Sequence, residues 1–183
     1  MWRAQTRPRV HHQLNLQTMT PQTKDLHGFF ITLLSNATLY KPSVENLMPF
    51  PVEPKWIAET ERKLGVRFPS SFVVAMARMN GGSVVTDIDQ FELYSFLDQT
   101  DRKRIRRTCS SICRETKANR DWDHFPQDLV VIGHNGGGDL LVLAPMKDDP
   151  NTLQHTVYWY DHETSRIAPV ALDFSDLAMD ANA

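Results

Sequence analysis

The stretch ETERKLGVRFPSSF, residues 59–72, decides the fold, because it contains the end of one helix and the start of another. Apolar residues before and within it recur with a helical period, and a proline suited to a first helical turn stands at Pro54. Gly65 then suits the left-handed position that ends such a helix. The pattern predicts a first helix from about Pro54 to Gly65.

The second half of the same stretch predicts a second helix directly after the first. Ser70 or Ser71 follows Pro69 and can cap the new helix, whose apolar residues continue to Met79. Asn80-Gly81-Gly82 ends it, because these residues adopt positive φ at low cost. The two helices are therefore predicted to form a hairpin.

Beyond this hairpin the chain changes from helical to strand-like patterns. A long helix is predicted over about 98–117 and a short closing helix over about 173–179. Strand patterns occupy residues 83–85, 91–94, 129–132, 140–143, 156–160 and 167–171. Helices followed by antiparallel strands predict an α+β domain, with the hairpin packed on a mainly antiparallel sheet.

The N-terminal residues lie outside this domain, which we place over 53–180. Residues 1–20 are expected to form a disordered arm, and residues 21–52 a helix over about 21–35 followed by a proline-rich linker. We expect no secretory signal, because residues 1–17 contain three arginines and two histidines but no apolar run. Two cysteines in 183 residues fit a reducing compartment, so a cytoplasmic location is predicted.

Charge is distributed unevenly along the chain, although the formal net charge is only −2. Residues 101–120 carry a net charge of +6, whereas residues 121–183 carry −9. The basic run Arg102–Arg107 could bind nucleic acid, but no aromatic residue lies nearby to stack bases. A solvated helix face is therefore the preferred interpretation of this run, and nucleic acid is not the expected partner.

Three blocks of sequence resemble one known family. The first is residues 59–72 with Met79–Ser83, the second is Asp128–Leu140, and the third is Val157–Glu163 with Ala171–Phe174. Together they are similar to the Smi/Knr family of the SUKH superfamily, in the same order and over about residues 53–179. The residues that carry this resemblance in structural roles are Glu61, Leu64, Gly65, Pro69, Asn80, Gly81, Gly82, Gly133, Gly137, Gly138, Asp139, His162 and Phe174.

The resemblance implies a fold, a mode of action and an absence of catalytic machinery. Bacterial members of the family are mostly immunity proteins that bind toxins such as nucleases and deaminases. Fungal relatives act in cell-wall signalling through protein contacts. We therefore expect a non-catalytic protein-binding domain with no cofactor and no membrane association, whose partner is a cognate toxin. A regulatory scaffold, as in the fungal relatives, is the alternative.

Several residues invite a chemical interpretation and have a simpler structural one. The glycine-rich segment Asn135–Asp139 lacks the lysine of a phosphate loop and predicts a hairpin turn. His162 is expected to cap or pack a turn, although a hydrolase that uses His162 with Asp161 or Glu163 stays possible. Cys109 and Cys113 are too few for a metal site and are predicted to be buried on one face of the long helix.

The acidic last third is the predicted partner surface, because its carboxylates lie in loops and would attract a basic cleft. Trp122 is expected to be a core or edge anchor, and an aromatic side chain that remains exposed near carboxylates would anchor an interface. The candidate partner-binding residues are Asp121, Asp123, Asp148, Asp149, Tyr158, Tyr160, Asp161 and Glu163.

Overall fold

The structure, a computed structural model, describes residues 49–180. The arm predicted over residues 1–20 and the helix predicted over 21–35 lie outside the described residues. Within the described part, no helix has the length and apolar character needed to cross a bilayer.

Two helices open the described chain where the sequence predicts them. Helix α1 spans Pro54–Leu64 and ends at Gly65, whose φ is 71° and whose N–H donates to the Glu61 carbonyl at 2.8 Å. Helix α2 spans Ser70–Arg78. The Glu61 side chain also accepts the Phe68 N–H at 3.0 Å, so Glu61 holds the short link between the two helices.

Within residues 49–180, seven antiparallel strands form one sheet, in the order β6-β5-β4-β3-β2-β1-β7. The strands are β1 (Ser83–Val85), β2 (Gln90–Leu93), β3 (Val130–His134), β4 (Leu140–Pro145), β5 (Leu153–Tyr160), β6 (Ile167–Ala171) and β7 (Ala178–Asp180). The first six agree with the predicted strands to within about three residues at each end. The α+β class is therefore confirmed.

The predicted closing helix over 173–179 is wrong, because the segment is a single 3-10 turn, Phe174–Asp176, followed by β7. The Asp173 side chain accepts the Ser175 N–H, and the Asp176 side chain accepts the Asp173 N–H. These two bonds form a capping box that starts the turn, and the turn ends because Leu177 is extended and the next residues pair with β1. The chain then leaves in an extended conformation, and Asp180 pairs with Ser83 of β1.

The long helix predicted over 98–117 is also wrong, because the structure has two shorter helices, α3 (Arg102–Arg107) and α4 (Ile112–Arg120). The break occurs where Ser111 forms a bridge with Ser95, and the Ile112 N–H donates to the Ser95 carbonyl at 3.0 Å. A tertiary hydrogen bond thus replaces the helical bond that a continuous helix would make.

This break changes the surroundings of the residues predicted to form one buried face. Ile112 is fully buried, whereas Ile105 is 41% exposed and Cys109 lies at the surface. Cys113 is only partly buried. The prediction that both cysteines pack in the core is therefore wrong.

The core occupies both faces of the central strands. On one face, Phe68, Phe72, Phe96 and Phe174 form an aromatic cluster with ring centroids 4.9–5.9 Å apart. On the other face, Phe125 and Leu129 from the segment after α4 cover Val131, Val142 and Tyr160. Burial on both faces explains why β3 and β4 are continuous apolar runs instead of alternating patterns.

Helix α4 lies beside β3 where the short strand β2 leaves the backbone of β3 unpaired. The Thr116 hydroxyl accepts the Val131 N–H at 3.0 Å and lies 3.5 Å from the Val131 carbonyl. Thr116 therefore satisfies the backbone that a longer β2 would have satisfied. This contact positions the C-terminal end of α4 next to the turn between β3 and β4.

Candidate protein-binding surface

The turn between β3 and β4 is held together by its own side chains. The Asn135 Oδ1 accepts the N–H groups of Gly137 at 2.9 Å and Asp139 at 3.1 Å. The Gly136 N–H donates to His134 Nδ1 at 3.2 Å, and the Asn135 N–H donates to the Asp139 carbonyl. These amides already have acceptors inside the turn, so the segment is built as a hairpin turn and not as an anion cradle.

The turn between β5 and β6 lies directly against this first turn. The His162 Nδ1 lies 2.8 Å from the Asp139 Oδ1, which also accepts the His162 backbone N–H at 3.2 Å. A Cβ atom on Gly138 would lie 2.8 Å from the His162 ring. Glycine is therefore required at position 138 for the histidine to reach Asp139.

The contact between the two turns shifts the pKa of both partners. Partial burial alone would raise the pKa of Asp139, but the hydrogen bonds from the His162 ring and backbone lower it overall. The Asp139 carboxylate raises the pKa of His162. Charged forms of both groups are thus favoured together, as in an ion pair.

Asp139, Asp161 and His162 form a group that could in principle ligate a metal ion, with ligand atoms within 4.8 Å of one another. Asp161 accepts hydrogen bonds from the backbone of Glu163 and from both the backbone and the hydroxyl of Thr164. The hydrolase interpretation pairs His162 with Asp161 or Glu163. In the structure, the His162 ring is hydrogen-bonded to Asp139 instead. These side chains brace the two turns.

A concave region of about 270 Å³ lies on the α4 side of the glycine turn. Strand residues form one wall, helix α4 forms the opposite wall, and the turn closes one end. The side chains that give this region its chemistry are Tyr94, Glu115, Asn119, Trp122 and His134. We refer to it as the turn-end cavity.

Aromatic rings line the strand wall of the turn-end cavity. Tyr94 and His134 stack with centroids 4.9 Å apart and an interplanar angle of 28°. Burial, with the carboxylates of Glu115 and Glu92 nearby, raises the pKa of Tyr94 to about 12. The Tyr94 side chain therefore remains uncharged at any physiological pH.

Trp122 is 54% exposed, so the expectation that it serves as a core or edge anchor is wrong. It lies in the loop after α4, between the exposed Asp121 and Asp123, and contributes to the turn-end cavity. Asp161 and Glu163 stand on the adjacent β5–β6 turn. We define the turn-end surface as the turn-end cavity together with Glu92, Asp121, Asp123, Asp161 and Glu163.

The other predicted partner-binding residues lie elsewhere. Asp148 and Asp149 occupy the turn between β4 and β5, at the opposite end of β4, whose six residues extend over about 20 Å. Asp149 is bonded there to Arg67 at 3.2 Å and to Thr152. The predicted carboxylates therefore form two separate groups and not one face.

The two tyrosines of β5 do not provide the expected exposed anchor. Tyr160 is only 2% exposed and packs edge-on against Phe125 at 5.1 Å, so its predicted place on a partner surface is wrong. Tyr158 is partly buried, and its hydroxyl donates to Gln154 at 2.9 Å. The segment that supplies Phe125 covers the face that the tyrosines share.

The basic run of α3 is partly used inside the protein. The Arg104 guanidinium lies 2.7 Å from the fully buried carboxylate of Asp98, and Arg104 and Arg107 both lie over the Phe50 ring. Sequence reasoning missed Asp98 as a buried charge. Its one signal was Asp98-x-Thr100, where the Asp98 carboxylate accepts the Thr100 N–H as in an Asx turn.

The residues that carry the family resemblance brace connections of the fold. Asn80 is buried and bonds the Phe96 backbone through both its amide nitrogen and its oxygen, at 2.8 and 2.7 Å. A Cβ atom on Gly133 would lie 2.8 Å from the Glu92 carbonyl, so β2 and β3 approach closely there. The remaining motif residues lie in α1 and its link to α2 (Glu61, Leu64, Gly65, Pro69), after α2 (Gly81, Gly82), in the two facing turns (Gly137, Gly138, Asp139, His162) and in the aromatic cluster (Phe174).

Comparison with known proteins identifies the family of this chain. The model of the SMI1 / KNR4 family (SUKH-1) matches residues 51–180, which is more than two thirds of the chain. No match was found among curated proteins or among solved structures. The chain belongs to the SMI1 / KNR4 family (SUKH-1).

Proposed function

We infer that this protein is a non-catalytic protein-binding domain, an immunity protein that binds and neutralises a cognate toxin of the nuclease or deaminase class. The observation that carries the proposal is the exposed Trp122 beside a concave wall and between two carboxylates, in a chain of the SUKH-1 family. Tryptophan is enriched among the residues that contribute most of the binding energy of protein interfaces.

The charge of the turn-end surface supports a basic partner. Glu92, Asp121, Asp123 and Glu163 are exposed, and none of them is bonded to a lysine or arginine within the described residues. Toxin domains that act on nucleic acid carry basic clefts for the phosphate backbone. A carboxylate-rich surface would speed association with such a cleft and would occlude it once bound.

The chemistry of the two facing turns supports a structural role over a catalytic one. Asp139 and His162 are paired with each other, and the turn amides are bonded within the turn. A general base needs a free lone pair within reach of a substrate proton. We therefore propose that these residues shape the surface for a cytoplasmic protein partner and carry out no reaction.

The separation of the acidic residues into two groups provides the test. The neighbouring reading frames would first be sequenced for a toxin domain, and that domain would be titrated with the wild type, with Asp121→Lys/Asp123→Lys and with Asp148→Lys. We expect the double variant to weaken binding by at least about a hundredfold and to flatten its salt dependence, because two attractive charges become repulsive. Asp148→Lys, an equally exposed carboxylate at the opposite end of β4, should leave the affinity within about threefold.

Co-expression of the toxin with each variant would report neutralisation in cells. Survival with the wild type and with Asp148→Lys, but not with the double variant, is the expected result. If the wild type neither binds the toxin nor protects the cell, the immunity function is rejected, and the regulatory scaffold becomes the better interpretation. If all three proteins bind equally, the turn-end surface is not the interface.

A further inference from the structure

We propose that the turn-end cavity binds the guanidinium group of an arginine on the protein partner. This inference rests on the proposed function and specifies the chemistry of its interface. It is carried by two acceptors that lack a full set of partners and by aromatic surfaces on either side of them.

The first acceptor is the side-chain oxygen of Asn119. Asn119 lines the cavity and is only 6% exposed. Its Nδ2 donates to the Glu115 carbonyl of the same helix at 2.9 Å, which fixes the orientation of the amide. Its Oδ1 accepts no hydrogen bond from the described residues. This oxygen is itself shielded from solvent, so a ligand donor reaches it only after a small shift of the surrounding side chains, and the new bond would then remove the cost of an unsatisfied buried acceptor.

The second acceptor is the carboxylate of Glu115, one helical turn before Asn119. Its side chain is 21% exposed and lines the same cavity. Within the described residues, its one cationic neighbour is the exposed Arg114, whose Nε lies 3.8 Å away. That distance is too long for a hydrogen bond. Glu115 can therefore accept a charge-assisted bond from a cation that enters the cavity.

Aromatic rings beside these two acceptors favour the binding of a planar cation. The Tyr94–His134 stack forms one wall, and Trp122 stands at the opening. The His134 Nδ1 accepts the Gly136 N–H at 3.2 Å, which holds the ring against Tyr94. A guanidinium can stack on such rings while its N–H groups point at carboxylate and amide oxygens.

The size and charge of the cavity argue against other occupants. A volume of about 270 Å³ is below the range typical of cofactor or drug-sized ligands and suits a single side chain. Phosphate or a carboxylate would meet Glu115 in the cavity wall, and Glu92 outside the cavity near Tyr94, as like charges. A nucleobase could stack, but its attached phosphates would meet the same carboxylates.

Capped Gly-Arg-Gly peptide, with its citrulline and lysine counterparts, would test the proposal on the full chain. The Trp122 indole N–H signal, assigned with Trp122→Leu, would be followed by NMR. We expect the arginine peptide to shift this signal with a Kd on the order of millimolar. Citrulline has the same shape without the charge, and it should bind about tenfold more weakly, as should the arginine peptide to Glu115→Gln.

The control is Asp148→Asn, which removes a carboxylate far from the cavity and should bind the arginine peptide like the wild type. The proposal is overturned if citrulline or lysine binds as well as arginine, if Glu115→Gln binds normally while remaining folded, or if AMP shifts the signal more strongly than the peptide. It is also overturned if no shift occurs at a peptide concentration on the order of 10 mM. Wild-type binding to the toxin, measured in parallel, would show whether the immunity function survives such a result.

Discussion

At the scale of single residues, Gly138 lets the two facing turns approach each other, because the His162 ring of the β5–β6 turn lies against its backbone. Its φ is 112°, a conformation that residues with a Cβ atom rarely adopt. The absent Cβ also leaves room for the His162 ring. Two independent requirements, backbone conformation and space, therefore select glycine at this position.

We expect Gly138→Ala to lower the free energy of unfolding by about 1–3 kcal/mol from backbone strain, with a further loss from displacement of His162. Gly136→Ala is the matched control, because Gly136 also has positive φ (76°) but has open space around its Cβ position. Urea denaturation would measure both. Equal losses would show that the His162 contact contributes nothing.

The His162–Asp139 pair predicts a pH-dependent stability. The raised pKa of His162 means that its contribution is complete below about pH 6.5 and is lost as the pH rises through the folded-state pKa. The lowered pKa of Asp139 means that its contribution is present above about pH 3.9 and is lost on further acidification. The pair is therefore most stabilising between about pH 4 and 6.5.

The difference in Tm between wild type and His162→Gln should be largest in that window and should narrow as the pH rises through the raised folded-state pKa of His162. His124→Gln, which changes an exposed histidine without a partner among the described residues, should show no such profile. A Tm difference that is constant with pH would mean that the pair is not charged.

At the scale of elements, one hydroxyl supplies a hydrogen bond between α4 and the backbone of β3. Thr116→Val keeps the shape of the side chain but leaves the Val131 N–H without an acceptor. We expect a loss of about 1–3 kcal/mol, with faster hydrogen exchange at the Val131 amide. Thr60→Val is the control, because the equally buried Thr60 hydroxyl donates only to the Trp56 carbonyl of its own helix, which has another donor. Equal losses in both variants would contradict this assignment.

The elements that could be predicted from the sequence are those whose signals are local. Gly65 ends α1 wherever the helix packs, and the apolar runs of β3 and β4 require burial on both faces. The break between α3 and α4 could not be predicted, because it depends on a hydrogen bond from Ile112 to Ser95, seventeen residues earlier. Strand β7 could not be predicted for the same reason, because its partner β1 lies almost a hundred residues before it.

At the scale of the whole molecule, one aromatic cluster joins parts of the chain that are far apart in sequence. Phe72 of α2 contacts Phe68, Phe96 and Phe174, and it is fully buried. Phe72→Ala should lower the free energy of unfolding by about 3–5 kcal/mol. Val74→Ala, on the exposed side of the same helix, should change it by less than about 0.5 kcal/mol. A small loss at Phe72 would show that the cluster contributes little to the stability of the fold.

The candidate site could be predicted only in part, for a reason that also belongs to this scale. The acidic composition of residues 121–183 is visible in the sequence, but its division between two ends of β4 follows from strand pairing. The sequence predicts Trp122 to be a core or edge anchor, because large aromatic side chains usually pack against the fold. No pattern in the sequence points to Asn119 and Glu115, because their importance comes from the hydrogen-bond and ionic partners that they lack among the described residues of the folded protein.

The position of β7 at the edge of the sheet has a consequence for synthesis on the ribosome. Ser83 is translated early, but its partner Asp180 emerges last among the described residues. Until then the nascent chain presents the open edge of β1, a template on which another growing polypeptide can align. Slow translation of the codons for β7 would prolong this period, so co-translational aggregation should depend more on the delivery of β7 than on the stability of the finished domain.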